Sequence, residues 1–233
     1  TAIISEPNLL STSLSSNPVN CAGACDGDAT SVVSGGTGSY TYSWNPSSQT
    51  TATATGLCGD TYTITVTDQN GCVAIDSIAV NEPFPLSTTI IAEQGVDCYG
   101  DCDGYAEVSA SNGTGPYTFQ WSDGQPAALA INLCAGNYMV TVTDANGCTR
   151  IDTALISQPP QLTNGFTTTD NACAGDSLGI STANVAGGTS PYNYLWNSVP
   201  IQSTASATGL TAGIYLVQIT DSNGCILFDT DTI

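Results

Sequence analysis

Thr67-Asp68-Gln69-Asn70-Gly71-Cys72 returns as Thr143-Asp144-Ala145-Asn146-Gly147-Cys148 and again as Thr220-Asp221-Ser222-Asn223-Gly224-Cys225. Each copy follows an alternating run such as Tyr62-Thr63-Ile64-Thr65-Val66. Asn-Gly between two β-patterned segments is a strong hairpin signal, because both residues tolerate the positive φ of a tight turn. The phrase therefore predicts a β-hairpin followed by a cysteine. Its three occurrences predict three structural units.

The units read as residues 8–82, 83–158 and 159–233, with residues 1–7 as the final strand of a preceding copy. That last expectation rests on Thr1-Ala2-Ile3-Ile4-Ser5-Glu6-Pro7, which matches Ser77-Ile78-Ala79-Val80-Asn81-Glu82-Pro83 and Thr153-Ala154-Leu155-Ile156-Ser157-Gln158-Pro159. Beginning and ending at nearly the same phase, the chain reads as an excerpt of a longer repeat polypeptide. Within the first unit, Ala29, Ser31 and Val33 alternate with polar neighbours up to Gly35-Gly36, the mark of a half-buried strand ending in a turn. Tyr40, Tyr42 and Trp44 then share one face of the next strand and should form the centre of the core.

Spacing separates the rigid from the tolerant parts. From Leu57, Leu133 and Leu210 to the last cysteine of each unit is 15 positions every time, whereas the preceding Trp-to-Leu interval is 13, 12 and 14. The Ser/Thr-rich stretch after each Trp is thus the tolerant loop. Asp60-Thr61-Tyr62 has the form of the tyrosine corner of immunoglobulin sandwiches. Short strands, frequent turn signals, a Trp on a middle strand and no helical period predict an all-β chain: a tandem array of three immunoglobulin-like antiparallel β-sandwiches, seven strands each, stapled by one or two disulfides.

Composition narrows the function classes. There is one basic residue, Arg150, with no His and a formal charge of -19. Without clustered Lys or Arg the chain has nothing to displace counterions from phosphates or anionic lipid, which excludes nucleic acid and acidic membrane surfaces. No apolar run reaches membrane-spanning length, so no insertion is expected. Without His or Lys there is no Ser-His-Asp triad, Cys-His pair or Schiff-base lysine, and a non-enzyme is expected. The spread of acidic residues suits a soluble, self-repelling array.

Ten cysteines without Cys-x-x-Cys pairs indicate disulfides, hence an oxidising, extracellular setting, rather than zinc. The third copy has Ser177 and Thr211 where the others have Cys25/Cys102 and Cys58/Cys134. Residues lost together read as partners, which predicts Cys25–Cys58 and Cys102–Cys134. The remaining cysteines then pair within each copy as Cys21–Cys72, Cys98–Cys148 and Cys173–Cys225. With one bridge instead of two, the third copy should be the least stable.

Asp68, Asp144 and Asp221 are the candidate metal ligands, since oxygen-rich clusters suit Ca²⁺. The EF-hand spacing with its distal Glu is absent, and Asp ahead of Asn-Gly commonly caps its own turn, so turn caps and no resident cofactor are expected. The aromatic triplets admit a sugar-stacking reading, but their alternation on a middle strand favours core.

The combination Cys-x-Gly-x-Cys-Asp-Gly, Gly-Gly-x-x-x-Tyr-x-Tyr-x-Trp and Tyr-x-Ile-x-Val-Thr-Asp-x-Asn-Gly-Cys, best kept in residues 21–72, resembles the SprB-type repeat of surface adhesins in gliding Bacteroidota. Its last part also resembles PKD and other immunoglobulin-like modules. The resemblance implies type IX export, display at the bacterial cell surface, and a structural stalk or filament segment used in attachment or gliding motility. The alternative is a spacer or carbohydrate-binding module of a secreted polysaccharide-degrading enzyme. Expected partners are neighbouring repeats of the same polypeptide, with lateral association into fibres, and an extracellular surface or glycan ligand that the sequence does not identify. The resemblance also directs attention to Asp-Ser/Thr-aliphatic O-glycosylation patterns. Asp76-Ser77-Ile78 and Asp152-Thr153-Ala154 fit at one repeat phase, making Ser77 and Thr153 the candidate sites.

Overall fold

The computed structural model describes residues 6–233, so most of the strand expected in residues 1–7 lies outside the described residues. The described chain forms eighteen β-strands and no helix. In the first copy these are β1 (Ser11–Asn17), β2 (Gly27–Ser34), β3 (Thr41–Asn45), β4 (Thr53–Leu57), β5 (Asp60–Thr67) and β6 (Val73–Val80). They make two three-stranded antiparallel sheets, β1-β2-β4 and β3-β5-β6. The second copy repeats the pattern with β7 (Ser87–Gln94), β8 (Gly104–Ser111), β9 (Thr118–Trp121), β10 (Leu129–Leu133), β11 (Gly136–Thr143) and β12 (Thr149–Ile156), in sheets β10-β8-β7 and β12-β11-β9. The third has β13 (Thr163–Thr169), β14 (Gly179–Ala186), β15 (Asn193–Trp196), β16 (Ser206–Leu210), β17 (Ile214–Thr220) and β18 (Ile226–Thr232), in sheets β13-β14-β16 and β15-β17-β18.

Each copy thus has six strands rather than the seven expected. The Ser/Thr-rich stretch after Trp44 is the loop expected from sequence, a turn with Ser48 at φ 56 and its N–H bonded back to the Trp44 carbonyl at 2.7 Å. A glutamine completes this loop. Gln49 Nε2 donates to the Thr55 carbonyl and its Oε1 accepts the Thr55 N–H, at 2.8 and 3.0 Å. Gln125 does the same with Ile131 and Gln202 with Thr208. An amide side chain imitates a neighbouring strand here, which is how a loop of variable length still delivers β4, β10 and β16 in register.

The chain divides into two compact units. One contains the described residues of Thr1–Thr89 together with Ser109–Gln120 and Thr141–Asp152; the other contains Ile90–Val108, Trp121–Val140 and Thr153–Ile233. In the first, Ala29, Ala54 and Leu57 from one sheet close on Trp44, Tyr62, Ile64 and Val66 from the other. Tyr40 and Tyr42 pack against that cluster, so the period-2 aromatic face does line the core. In the second unit Ala183, Ala207 and Leu210 meet Trp196, Val217 and Ile219 in the same way. Small residues on one sheet make room for the indole of the other. Gly27 shows how close the approach is: a Cβ there would lie 2.6 Å from the Val80 side chain, and Gly179 stands likewise against Ile233.

Tyrosine hydroxyls hold the loops at the sandwich ends. Tyr62 donates its hydroxyl to the Cys58 carbonyl at 3.2 Å and Tyr215 to that of Thr211 at 3.1 Å, the tyrosine corner expected from sequence. A second set was not foreseen. Tyr40, Tyr117 and Tyr192 donate to the carbonyls of Gly35, Asn112 and Gly187, each at 2.6 Å.

Candidate functional site

The hairpin phrase builds a carboxylate-centred turn. Asp68 Oδ1 accepts the N–H groups of Asn70 and Cys72 at 2.9 and 2.8 Å, while Oδ2 accepts that of Thr37 at 2.9 Å. Asp144 repeats this with Asn146, Cys148 and Thr114, and Asp221 with Asn223, Cys225 and Thr189. All three aspartates are buried. One oxygen therefore closes the turn and the other ties it to the Gly-Gly loop after β2 or β14, or to its Asn112-Gly113 counterpart after β8. This is the turn cap, extended by a tether across the sandwich. Among the described residues no group of three or more His, Cys, Asp or Glu side chains is placed to hold a metal ion.

Asp68 and Asp144 are held below the ordinary aspartate range. For Asp68 the Cys72 N–H is the leading cause, joined by those of Thr37 and Asn70, against the opposing effect of burial. For Asp144 burial is the largest influence and acts upward, but the N–H groups of Thr114, Cys148, Asn146 and Gly147 together outweigh it. A depressed carboxylate adds stability that is fully present above its unfolded value, about 3.9, and is lost as pH falls through the folded value. The melting midpoint should hold from neutrality to about pH 5 and then fall as the pH drops below about 4. The double variant Asp68→Asn/Asp144→Asn should flatten that acid limb in a pH series of thermal melts; an unaltered limb would place the acid sensitivity elsewhere.

The cysteine after each turn is where the copies join, and here the structure corrects the sequence reading. Cys25–Cys58 and Cys102–Cys134 are bonded. The expected Cys21–Cys72, Cys98–Cys148 and Cys173–Cys225 bridges do not form. Cys21 bonds instead to Cys148, and Cys98 to Cys225, each across a sequence separation of 127 and a Cα distance of 5.6 Å. Cys72 and Cys173 are exposed free thiols.

The reason is the length of the sandwich. Cys21 precedes the start of β2, beside Cys25 and its partner Cys58 at the start of β5. Cys72 follows the far end of β5, where Thr37 meets Asp68. Eight residues of strand rise about 23 Å, several times the Cα separation that a disulfide spans. The first cysteine of a copy can only reach the last cysteine of a different one. Each junction carries a second contact: Asn146 Nδ2 donates to the Asn20 carbonyl, and Asn223 Nδ2 to that of Asp97, both at 2.9 Å. The hairpin asparagine thus has two duties, turn formation through its backbone and docking through its side chain.

Trp44, Trp121 and Trp196 are each 1% exposed, and their indole N–H groups donate to the carbonyls of Thr51, Ala127 and Thr204. They are core, with no face open for stacking on a sugar. Ser77 and Thr153 lie on the edge strands β6 and β12 and are exposed, with Ser77 Oγ 2.9 Å from Thr63 Oγ1.

Paired three-stranded sheets, a tyrosine corner and a buried Trp define the class: tandem immunoglobulin-like domains linked by disulfides, a non-catalytic type of domain. The SprB repeat family matches residues 13–49, 94–126 and 165–200, once in each copy, consistent with SprB-type repeats. These matches suggest an adhesin-type extracellular repeat module, a setting with which the four disulfides agree.

No curated protein matches the chain. Among solved structures, it is similar to the three N-terminal domains of the highly immunogenic outer capsid protein of bacteriophage RB49, with 14% identity, a TM-score of 0.46, and coverage of 96% of this chain and 97% of that one. It is also similar to a three-immunoglobulin segment of titin, with 13% identity, a TM-score of 0.41 and 99% of both chains covered. For immunoglobulin domains 1 to 5 of Sidekick-1 the identity is 10% and the TM-score 0.40, over 97% of this chain and 58% of that one.

Proposed function

We propose that this chain is a non-enzymatic stalk or filament segment of a secreted bacterial cell-surface adhesin, exported by the type IX route and used in attachment or gliding motility. The observation that carries this reading is the placement of two disulfides between copies rather than within them. With these bridges and Cys102–Cys134 closed, the shortest covalent path from Cys21 to Cys225 passes through Cys148, Cys134, Cys102 and Cys98 and contains 18 residues of chain instead of 204. At about 3.5 Å per extended residue, the length of chain that unfolding can release between them falls from roughly 700 Å to roughly 60 Å. A segment that transmits pulling forces between a cell and a surface gains from such a limit, whereas a spacer in a soluble enzyme does not. The buried tryptophans weigh against the carbohydrate-binding alternative.

The test is made on the producing cells. An antibody raised against this chain should label intact cells, and deleting the polypeptide should reduce attachment or gliding speed. Labelling only after lysis, or a deletion that alters neither behaviour, would overturn the proposal.

A further inference from the structure

We propose that Asn146 and Asn223 are self-modifying sites held in check by the junctions. While a junction is closed its asparagine keeps the side-chain amide; once the junction opens, the residue converts to aspartate or isoaspartate and the junction cannot close again. The inference stands on the junction geometry and does not depend on the surface role proposed above.

Asn-Gly is the sequence in which an asparagine meets its own backbone with least hindrance, because glycine has no Cβ beside the attacking nitrogen. In Asn146-Gly147 the glycine nitrogen gives up its proton and bonds to Asn146 Cγ, and the amide nitrogen leaves with a proton as ammonia. Water then opens the resulting succinimide ring at either carbonyl, giving aspartate or isoaspartate. One water is consumed and one ammonia released, with no oxidant or reductant. Glycine is required in these turns by backbone shape and not by crowding: Gly147 and Gly224 have φ 84 and 89, and a Cβ on either would meet nothing within 4 Å.

The junction adds restraint of the side chain. To react, the Asn146 carboxamide must swing back over its own main chain with its nitrogen free to leave. In the closed junction that nitrogen donates to the Asn20 carbonyl at 2.9 Å and to Thr114 Oγ1 at 3.1 Å, and Asn223 Nδ2 donates to the Asp97 carbonyl at 2.9 Å. The accepting residues are themselves fixed, since the N–H groups of Asn20 and Asp97 donate to Asp26 Oδ1 and Asp103 Oδ1 at 3.0 and 3.1 Å. Cys148 and Cys225, two positions beyond each asparagine, bond covalently to the residue after that acceptor. The disulfide therefore keeps the carboxamide against its carbonyl.

Conversion puts a carboxylate where the amide donor stood. An acceptor then faces the Asn20 or Asp97 carbonyl, unpaired, and a negative charge is added to a chain of net charge -19. Isoaspartate also lengthens the main chain inside a turn that Asp144 or Asp221 closes through the N–H of the same residue. Re-docking is lost either way, which makes each junction a one-way latch.

The full 233-residue chain and its Cys21→Ser/Cys148→Ser variant are kept at mildly alkaline pH without reductant and followed by peptide mass spectrometry. Asn146 should convert about tenfold faster in the variant, the factor set by losing a docking hydrogen bond of about 1.4 kcal/mol. Asn223, behind its intact bridge, should keep the parent rate. Cys98→Ser/Cys225→Ser should reverse the pattern, while Asn164-Gly165, in β13 paired with β14, keeps the parent rate and so reports that the third copy is still folded. Separately, Asn146→Asp retains an Asp-Gly turn. After reduction and reoxidation in a glutathione buffer it should re-form Cys21–Cys148 in a smaller share of molecules than the parent, with Cys25–Cys58 recovered in full. Equal conversion of Asn146 in the parent and the first variant, joint acceleration of Asn146 and Asn223, acceleration of Asn164 alongside Asn223, or parental recovery of the bridge in Asn146→Asp would each overturn the proposal.

Discussion

Removing the Cys98–Cys225 bridge, by the double substitution Cys98→Ser/Cys225→Ser, is expected to lower the stability of the oxidised chain by about 4 to 5 kcal/mol. The bridge closes a loop of 127 residues. Part of that loop is already closed by Cys102–Cys134, with its separation of 32, so the free loop is close to the 100-residue case, about 4.7 kcal/mol by the chain-entropy relation. The Asn223 contact to the Asp97 carbonyl is weakened at the same time. Cys173→Ser is the matched control, because that thiol has no partner in the chain. Thermal or denaturant unfolding should show a large loss for the double variant and none for the control. Equal stability of the two would mean that the bridge sits on a junction already fixed by other contacts.

Much of this arrangement is legible in the sequence, and the boundary of what is legible has a physical cause. The alternation of Tyr62, Ile64 and Val66 gives their burial directly, and Asp before Asn-Gly gives the turn cap. Ser177 and Thr211, standing where the other copies have cysteines, identify Cys25–Cys58 and Cys102–Cys134 by joint loss. The same comparison fails for the remaining cysteines. Because Cys72, Cys148 and Cys225 occupy one phase of the repeat, a bridge to the same copy and a bridge to the next leave identical patterns. Strand length breaks that degeneracy. A β5 of eight residues carries its final cysteine to the opposite end of the sandwich from Cys21, and this could have been read from the alternating run alone.

The unforeseen glutamines belong to a different category. Gln49, Gln125 and Gln202 recur at matching positions, so the signal was present. Their role, however, depends on a backbone six residues away presenting its N–H and carbonyl to one amide, as Thr208 does to Gln202. Loop composition does not reveal such a geometry.

Trp196→Ala is expected to unfold the third copy, whereas Trp44→Ala should leave the first folded but weakened. Emptying a core of this size costs about 3 to 5 kcal/mol for Trp→Ala, and both indoles are 1% exposed. Trp196 touches the inner residues of both sheets, lies 6.1 Å from the Phe166 ring between centroids, and donates to the Thr204 carbonyl. Trp44 is equally central, but its copy contains Cys25–Cys58, a separation of 33, for which the chain-entropy relation gives about 3 to 4 kcal/mol. The third copy has no internal bridge to offset the loss; Cys98–Cys225 fastens its last hairpin to another copy and leaves β13 to β16 unrestrained. Hydrogen exchange on the full chain should therefore show the β14 and β17 amides losing protection in Trp196→Ala, while β2 and β5 remain protected in Trp44→Ala. Equal loss in the two variants would mean that the internal bridge contributes little. The stability differences among the copies would then have to come from the packing of Ala183, Ala207 and Leu210 against the indole rather than from the cysteines that the third copy lacks.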